Sequence, residues 1–151
     1  MITKSNVKRI LLKDLNFDAP KIKKLDNFAK KLLIYNTKHN LISKNTEKQI
    51  WDRHILDSAQ LIKFIDAKNC SGIADLGTGG GFPGIILAIY FQNFNFHVKL
   101  YEKSPVKEIL TKNGRISGVK VDDHIINCEY IVLASGMWSR QIGGKAGVSI
   151  P

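Results

Sequence analysis

The chain has 151 residues, 44% apolar and 24% charged, which suits one ordinary domain with a core and excludes a disordered or fibrous chain. Its formal charge is +10, and residues 1–70 hold 15 Lys/Arg against 7 Asp/Glu while residues 71–151 hold 8 against 6. Most of the excess therefore lies in the first half, and a basic segment of that density suits a polyanion such as RNA, because each neutralised phosphate releases condensed counterions.

No apolar run approaches the ~20 residues of a membrane-spanning helix. The longest is Ile85 to Phe91. At the basic N-terminus, Lys13 and Asp14 interrupt the apolar residues too early for a signal-peptide core, so a cytoplasmic location is expected. Cys70 and Cys128 stand far apart with no CxxC spacing and no His or Asp cluster, which predicts reduced structural thiols and no metal site.

Taken in chain order, the first clear element is a helix over residues 20–36. Asp18 is placed to cap it, and Pro20 suits a first turn that needs no N–H donor. Ile22, Leu25, Phe28, Ala29, Leu32 and Leu33 form one apolar stripe for the core, leaving Lys23, Lys24, Lys30 and Lys31 to solvent or phosphate. After a break at Asn40–Ser43, a second helical stretch is predicted over 46–56 with Thr46 as cap, and a third over 57–65 capped by Asp57 or Ser58.

The period then changes. Residues 72–76 are continuously apolar apart from Asp75, as in a buried parallel strand. Gly77 to Gly84 is a glycine-rich turn, Pro83 opens a helix from Gly84 to about Phe91, and His97–Tyr101 is a second strand ended by Glu102. Strand, glycine loop, helix and strand make a βαβ unit with a parallel sheet. Beyond Lys107, residues 115–121 read as a strand, Asp122-Asp123 as a turn, 125–128 as its hairpin partner and 129–134 as another buried strand. A short helical piece follows from Met137 to about Ile142. The expected division is a basic helical region (1–70), a partial βαβ unit (71–107) and a β-rich segment (108–151).

The chemistry concentrates in Asp75-Leu76-Gly77-Thr78-Gly79-Gly80-Gly81-Phe82-Pro83-Gly84. Glycines here permit positive φ and let a ligand lie against the backbone, while N–H groups at the start of the next helix face the same space. Gly79 to Gly84 also satisfies GxGxxG, a weak signature that leaves a dinucleotide cofactor open. Glu102, at the end of the second strand, is where a carboxylate can accept the hydroxyls of an adenosine ribose. Arg53, His54 and Asp57 share a helical face. They admit two readings: contact with RNA phosphate or the cofactor mouth, or capping and packing.

Residues 1–107 resemble the bacterial small-subunit rRNA guanine-N7 methyltransferase family, also called glucose-inhibited division protein B. The resemblance rests on Asn40-Leu41-Ile42-Ser43, Arg53-His54-Ile55-Leu56-Asp57-Ser58, Asp75 to Gly84, and Tyr101-Glu102-Lys103-Ser104. It implies a Rossmann-like α/β fold behind a helical N-terminal region, S-adenosylmethionine as cofactor, and 16S ribosomal RNA or the small ribosomal subunit as partner. On that resemblance Asp75, Gly77, Thr78, Gly79, Gly81 and Phe82 lie against the cofactor, Glu102 holds its ribose, and Arg53 and His54 meet RNA. Guanine N7 carries its own lone pair, so no catalytic base is expected.

The family pattern is not followed past Lys107. Residues 113–151, with Ala134-Ser135-Gly136-Met137-Trp138 at their centre, resemble a segment of FAD-dependent sarcosine and dimethylglycine dehydrogenases. That implies an alternative identity as a flavoenzyme fragment, although the FAD fingerprint of those enzymes has no counterpart in the segment. The two resemblances together suggest a joined and truncated chain. Methylation is expected to be weak or absent, with strand 130–134 available to complete the sheet.

Overall fold

The computed structural model describes residues 2–102, 106–134 and 139–149. Its contacts divide the chain into two compact units, Met1–Ile65 with Gly79–Gln92, and Asp66–Thr78 with Asn93–Pro151.

The first unit is helical. Helix α1, Lys4–Asp14, was not expected from the sequence. Thr3 caps it by accepting the Asn6 N–H, and Val7 and Leu11, one turn apart, are wholly buried. Helix α2, Ala19–His39, extends the predicted helix at both ends. The Asp18 carboxylate accepts the Lys21 N–H at 2.8 Å, and Asn40 ends the helix in the left-handed conformation. Ile22, Leu25, Ala29 and Leu32 are buried as the stripe requires, whereas Lys23, Lys24, Lys30 and Lys31 are exposed.

The two helices expected at 46–56 and 57–65 form one uninterrupted run instead. A 3-10 segment, Lys44–Gln49, passes into a π-helical segment, Ile50–Leu56, then into α3, Asp57–Ala59, and a last 3-10 turn, Gln60–Phe64. Ser43, not Thr46, caps the start, its hydroxyl accepting the Asn45 N–H. Asp57 caps nothing, because its backbone is already helical and continues from Leu56. Ile50, Trp51, Ile55 and Leu56 face the core that α1 and α2 also line, and Ile86 of helix α4, Gly84–Phe91, joins that core.

The second unit holds two three-stranded sheets. In the first, β1 (Gly72–Leu76) is central, with β2 (His97–Tyr101) on one side and β6 (Tyr130–Leu133) on the other, both parallel to it. The late strand therefore completes the sheet. Glu129 fixes its start: the carboxylate accepts the N–H groups of Ser71 at 3.1 Å and Gly72 at 3.0 Å. Burial pulls its pKa upward, but these bonds outweigh it and hold the carboxyl below the usual glutamate range.

The second sheet is antiparallel, in the order β3 (Val106–Lys112), β4 (Arg115–Val121), β5 (His124–Asn127). Strand β3 was not foreseen, and it runs through the position where the sequence character changes. Its turn to β4 is Asn113-Gly114, both at positive φ, the pairing a tight hairpin favours. Val119, Val121, Ile126 and Cys128 form one buried cluster with Ala74 and Leu76 of β1, so the β-rich segment adds to the core of this unit. Both cysteines are free, and burial pushes the Cys128 thiol up to about 11. Helix α5, Ser139–Gly144, covers the end of the expected helical piece; Ser135–Trp138, which carry the whole Gly-Met-Trp run, lie outside the described residues.

Among the described residues, no helix is long and apolar enough to cross a membrane, and no group of three His, Cys, Asp or Glu side chains could hold a metal ion.

Candidate functional site

The glycine loop leaves the carboxyl end of β1. That strand is buried along its whole length, and Asp75 within it is fully inaccessible to solvent. Tyr101 of β2 pairs with Leu76, and its carbonyl oxygen accepts two N–H groups, from Gly77 at 2.8 Å and from Thr78 at 3.1 Å. These bonds draw the loop's first residues to the end of β2, where Glu102 follows, exposed. Gly77 turns the chain there at φ +83°, a conformation that a side chain opposes. Thr78 is buried, and its hydroxyl oxygen has no hydrogen-bond partner among the described residues. The carboxyl end of β1, with β2 on one side and β6 on the other, is the kind of position at which open α/β sheets bind ligands.

Between Thr78 and Gly79 the chain passes into the helical unit. Gly81 is at φ +91°, and a Cβ there would stand 2.4 Å from Ile85 Cδ1. At Gly80 a Cβ would stand 3.2 Å from the Leu41 carbonyl oxygen and 3.4 Å from Leu32 Cδ1. The loop thus leans closely on the Asn40–Ser43 segment and on α2. The Phe82 ring packs edge-on to Phe28 at 5.3 Å and stacks on His54 at 5.0 Å. Pro83 follows through a cis peptide bond, and its carbonyl accepts the N–H groups of Ile86 and Leu87 to start α4.

His54 is half-buried on the π-helical segment. Its Nε2 lies 2.9 Å from Thr46 Oγ1, whose hydroxyl also donates to the Ser43 carbonyl at 2.9 Å. With that hydrogen committed, Thr46 accepts from the ring, which places the imidazole proton on Nε2. Burial is the largest influence on the ring and lowers its pKa; Asp57 raises it and Arg53 lowers it, for a net fall. The stack on Phe82 and the bond to Thr46 hold the ring in place. Arg53, one residue earlier, is exposed. Lys103 and Ser104, the end of the Tyr101–Ser104 motif, lie outside the described residues.

One residue that sequence reasoning passed over organises this region. Asn36 is 5% exposed near the end of α2, and its side chain grips the next segment as a strand would. Its Oδ1 accepts the Ile42 N–H at 2.7 Å, and its Nδ2 donates to the Ile42 carbonyl at 3.0 Å and to Glu47 Oε1 at 2.7 Å. The clamp sets Leu41 and Ile42 where Gly80 meets them. Its only advance signal is a polar residue at the next position of the apolar stripe, one turn past Leu32 and Leu33.

Comparison with known proteins gives a consistent picture. The family model described as rRNA small subunit methyltransferase G matches residues 21–108. Ribosomal RNA small subunit methyltransferase G of Rickettsia felis is 48% identical over 117 residues, covering 71% of this chain and 60% of that one. The protein of the same name from Pelagibacter ubique is 46% identical over 98 residues, covering 62% and 46%, and that of Magnetococcus marinus is 38% identical over 99 residues, covering 66% and 43%. The chain spans about half the length of the curated relatives it matches. These matches lend no support to the flavin dehydrogenase resemblance of residues 113–151.

Proposed function

The chain belongs to the rRNA small subunit methyltransferase G family, and from that premise we propose that Asp75, Gly77, Thr78, Gly79, Gly81, Phe82 and Glu102 hold S-adenosylmethionine for methyl transfer to guanine N7 of small-subunit ribosomal RNA. The observation that carries the reading is the start of the loop. Gly77 is in a left-handed conformation, and next to it is a buried threonine hydroxyl with no partner among the described residues. A dry, unsatisfied hydroxyl costs about 1–3 kcal/mol, a cost that a polar ligand atom would remove. The residues present fit the cofactor in kind: bare glycine backbone for close approach, a hydroxyl donor, and a carboxylate at the neighbouring strand end for ribose hydroxyls.

Bound S-adenosylmethionine would supply an electrophilic methyl group on a sulfonium. Guanine N7 brings its own lone pair, so the chain need only orient the partners and exclude water. On this reading the Glu102 carboxylate accepts ribose hydroxyls, Thr78 Oγ1 meets a polar atom of the ligand, and Phe82, braced by His54 and Phe28, keeps the loop in shape. Arg53, exposed on the π-helical segment, is proposed to meet RNA phosphate.

Titration calorimetry with S-adenosylmethionine tests the assignment. The wild-type chain should release heat on saturation. Glu102→Ala should weaken binding by about tenfold or more, as expected for losing hydrogen bonds to a charged group. Thr78→Val should weaken it by about fivefold without loss of thermal stability, because the hydroxyl it removes satisfies nothing in the free protein. No heat at millimolar ligand, with folded protein in the cell, removes the cofactor assignment.

A further inference from the structure

We propose that the solvent face of α2 is the RNA-docking surface of this chain, with Lys23, Lys30, Lys31 and Lys38 against backbone phosphates and Tyr35 against an unstacked base. The inference rests on the RNA substrate proposed above and adds where that RNA lies.

The four lysines recur at i, i+7, i+8 and i+15, so they hold one stripe along the helix. From Lys23 to Lys38 the stripe is ~22 Å long at the α-helical rise. All four are exposed, and among the described residues none of them forms an ion pair. The sole carboxylate in α2, Asp26, is taken by Lys4 and Lys8 of α1. A helix face built only for solubility mixes both signs and uses i,i+4 pairs. This face carries one sign.

Apolar exposure on the same face is the second observation. Ile34 is 69% exposed and Tyr35 58% exposed. The Tyr35 ring lies over His39 with centroids 6.2 Å apart and planes 30° apart, a broad open platform. Aromatic platforms among lysines are how proteins take single-stranded bases. An anionic membrane suits the face less well, because the apolar side that would enter lipid is already spent on the core through Leu25, Ala29 and Leu32.

The third observation links the face to the loop. Phe28 and Leu32, which touch Phe82 and border Gly80, lie on this helix next to the lysine stripe. Tyr35 is one turn beyond Leu32. A strand tracked by the lysines and pinned at Tyr35 would therefore run beside the Gly79–Gly84 segment.

Fluorescence anisotropy of the full chain with a labelled RNA hairpin, followed across a salt series, tests this. The variant Lys23→Gln/Lys30→Gln/Lys31→Gln/Lys38→Gln should lower the slope of log affinity against log salt by about 0.7 per lost contact, nearly 3 in all. Tyr35→Ala should weaken binding about fivefold or more with the slope unchanged. Lys112→Gln/Arg115→Gln, at the β3–β4 turn, should leave both quantities as they are. The proposal is overturned if the α2 variant keeps the wild-type slope, if the β3–β4 control lowers it equally, or if phosphatidylglycerol vesicles are bound as tightly and lose as much on mutation. RNA binding that persists with an unchanged slope removes this face alone, whereas no RNA binding by the wild-type chain removes the RNA substrate as well.

Discussion

Replacing Asn36 by alanine removes three hydrogen bonds at one buried point. The Ile42 N–H and carbonyl lose partners at 2.7 and 3.0 Å, and Glu47 loses one at 2.7 Å. Glu47 is partly exposed and recovers water; Ile42 is 6% exposed and does not recover it readily. Leaving a buried backbone group unsatisfied costs about 1–3 kcal/mol, so two such groups with some relaxation give roughly 2–4 kcal/mol. That is a large part of the ~5–15 kcal/mol that holds a typical domain together. For a chain of this size it corresponds to a fall in Tm of roughly 5–15 °C. Asn36→Asp keeps the acceptor for the Ile42 N–H but loses both donors and sets a carboxylate beside Glu47, so it should be at least as damaging. Urea unfolding followed by circular dichroism measures the loss, and amide exchange at Ile42 localises it. A change below ~0.5 kcal/mol in Asn36→Ala, the range of ordinary surface substitutions, would refute the clamp.

Three further outcomes follow from the same contacts. At Gly118 a Cβ would stand 2.6 Å from the Ile126 carbonyl oxygen, a backbone atom of the paired strand, so Gly118→Ala should cost about 1–3 kcal/mol and loosen the β4–β5 hairpin in amide exchange. The folded His54 ring has a pKa below its ordinary value of 6.5, so the unfolded chain binds the proton first as pH falls. Its contribution is whole above that value and is lost as pH drops through the lower folded pKa; the fall in urea midpoint over this window should shrink in His54→Gln, and an identical profile would contradict the assignment. Glu129→Ala releases the Ser71 and Gly72 N–H groups and should cost about 1 kcal/mol, with faster exchange confined to the first residues of β1 and β6.

Much of this architecture is legible in the residues because local signals and the fold agree. An apolar run broken only by Asp75 and bounded by Ser71 and Gly77 is strand β1, His97–Tyr101 is β2, and the Asp18 cap with its apolar stripe is α2. The misses have separate physical causes. Helix α1 is short and lysine-rich, and its Val7–Leu11 pair shows only one turn of periodicity. Strand β3 carries Lys107, Glu108 and Lys112, which hide its alternation, although Asn113-Gly114 marks its end. The break expected before Asp57 is absent because an aspartate that could cap a new helix here only continues an old one. Within the candidate site, the glycine motif was plain from the sequence. The Asn36 clamp, the Thr46–His54 bond and the Phe82–His54 stack were not, since each depends on partners that no local period reveals.

The most direct test of the cofactor assignment is residue-resolved. In 15N-labelled protein titrated with S-adenosylmethionine, the amide resonances of Gly77, Thr78, Gly79, Gly81 and Glu102 should shift together and saturate at one concentration, while those of the β3–β4 hairpin stay in place. Saturable shifts that spare these five amides and gather elsewhere would contradict the account.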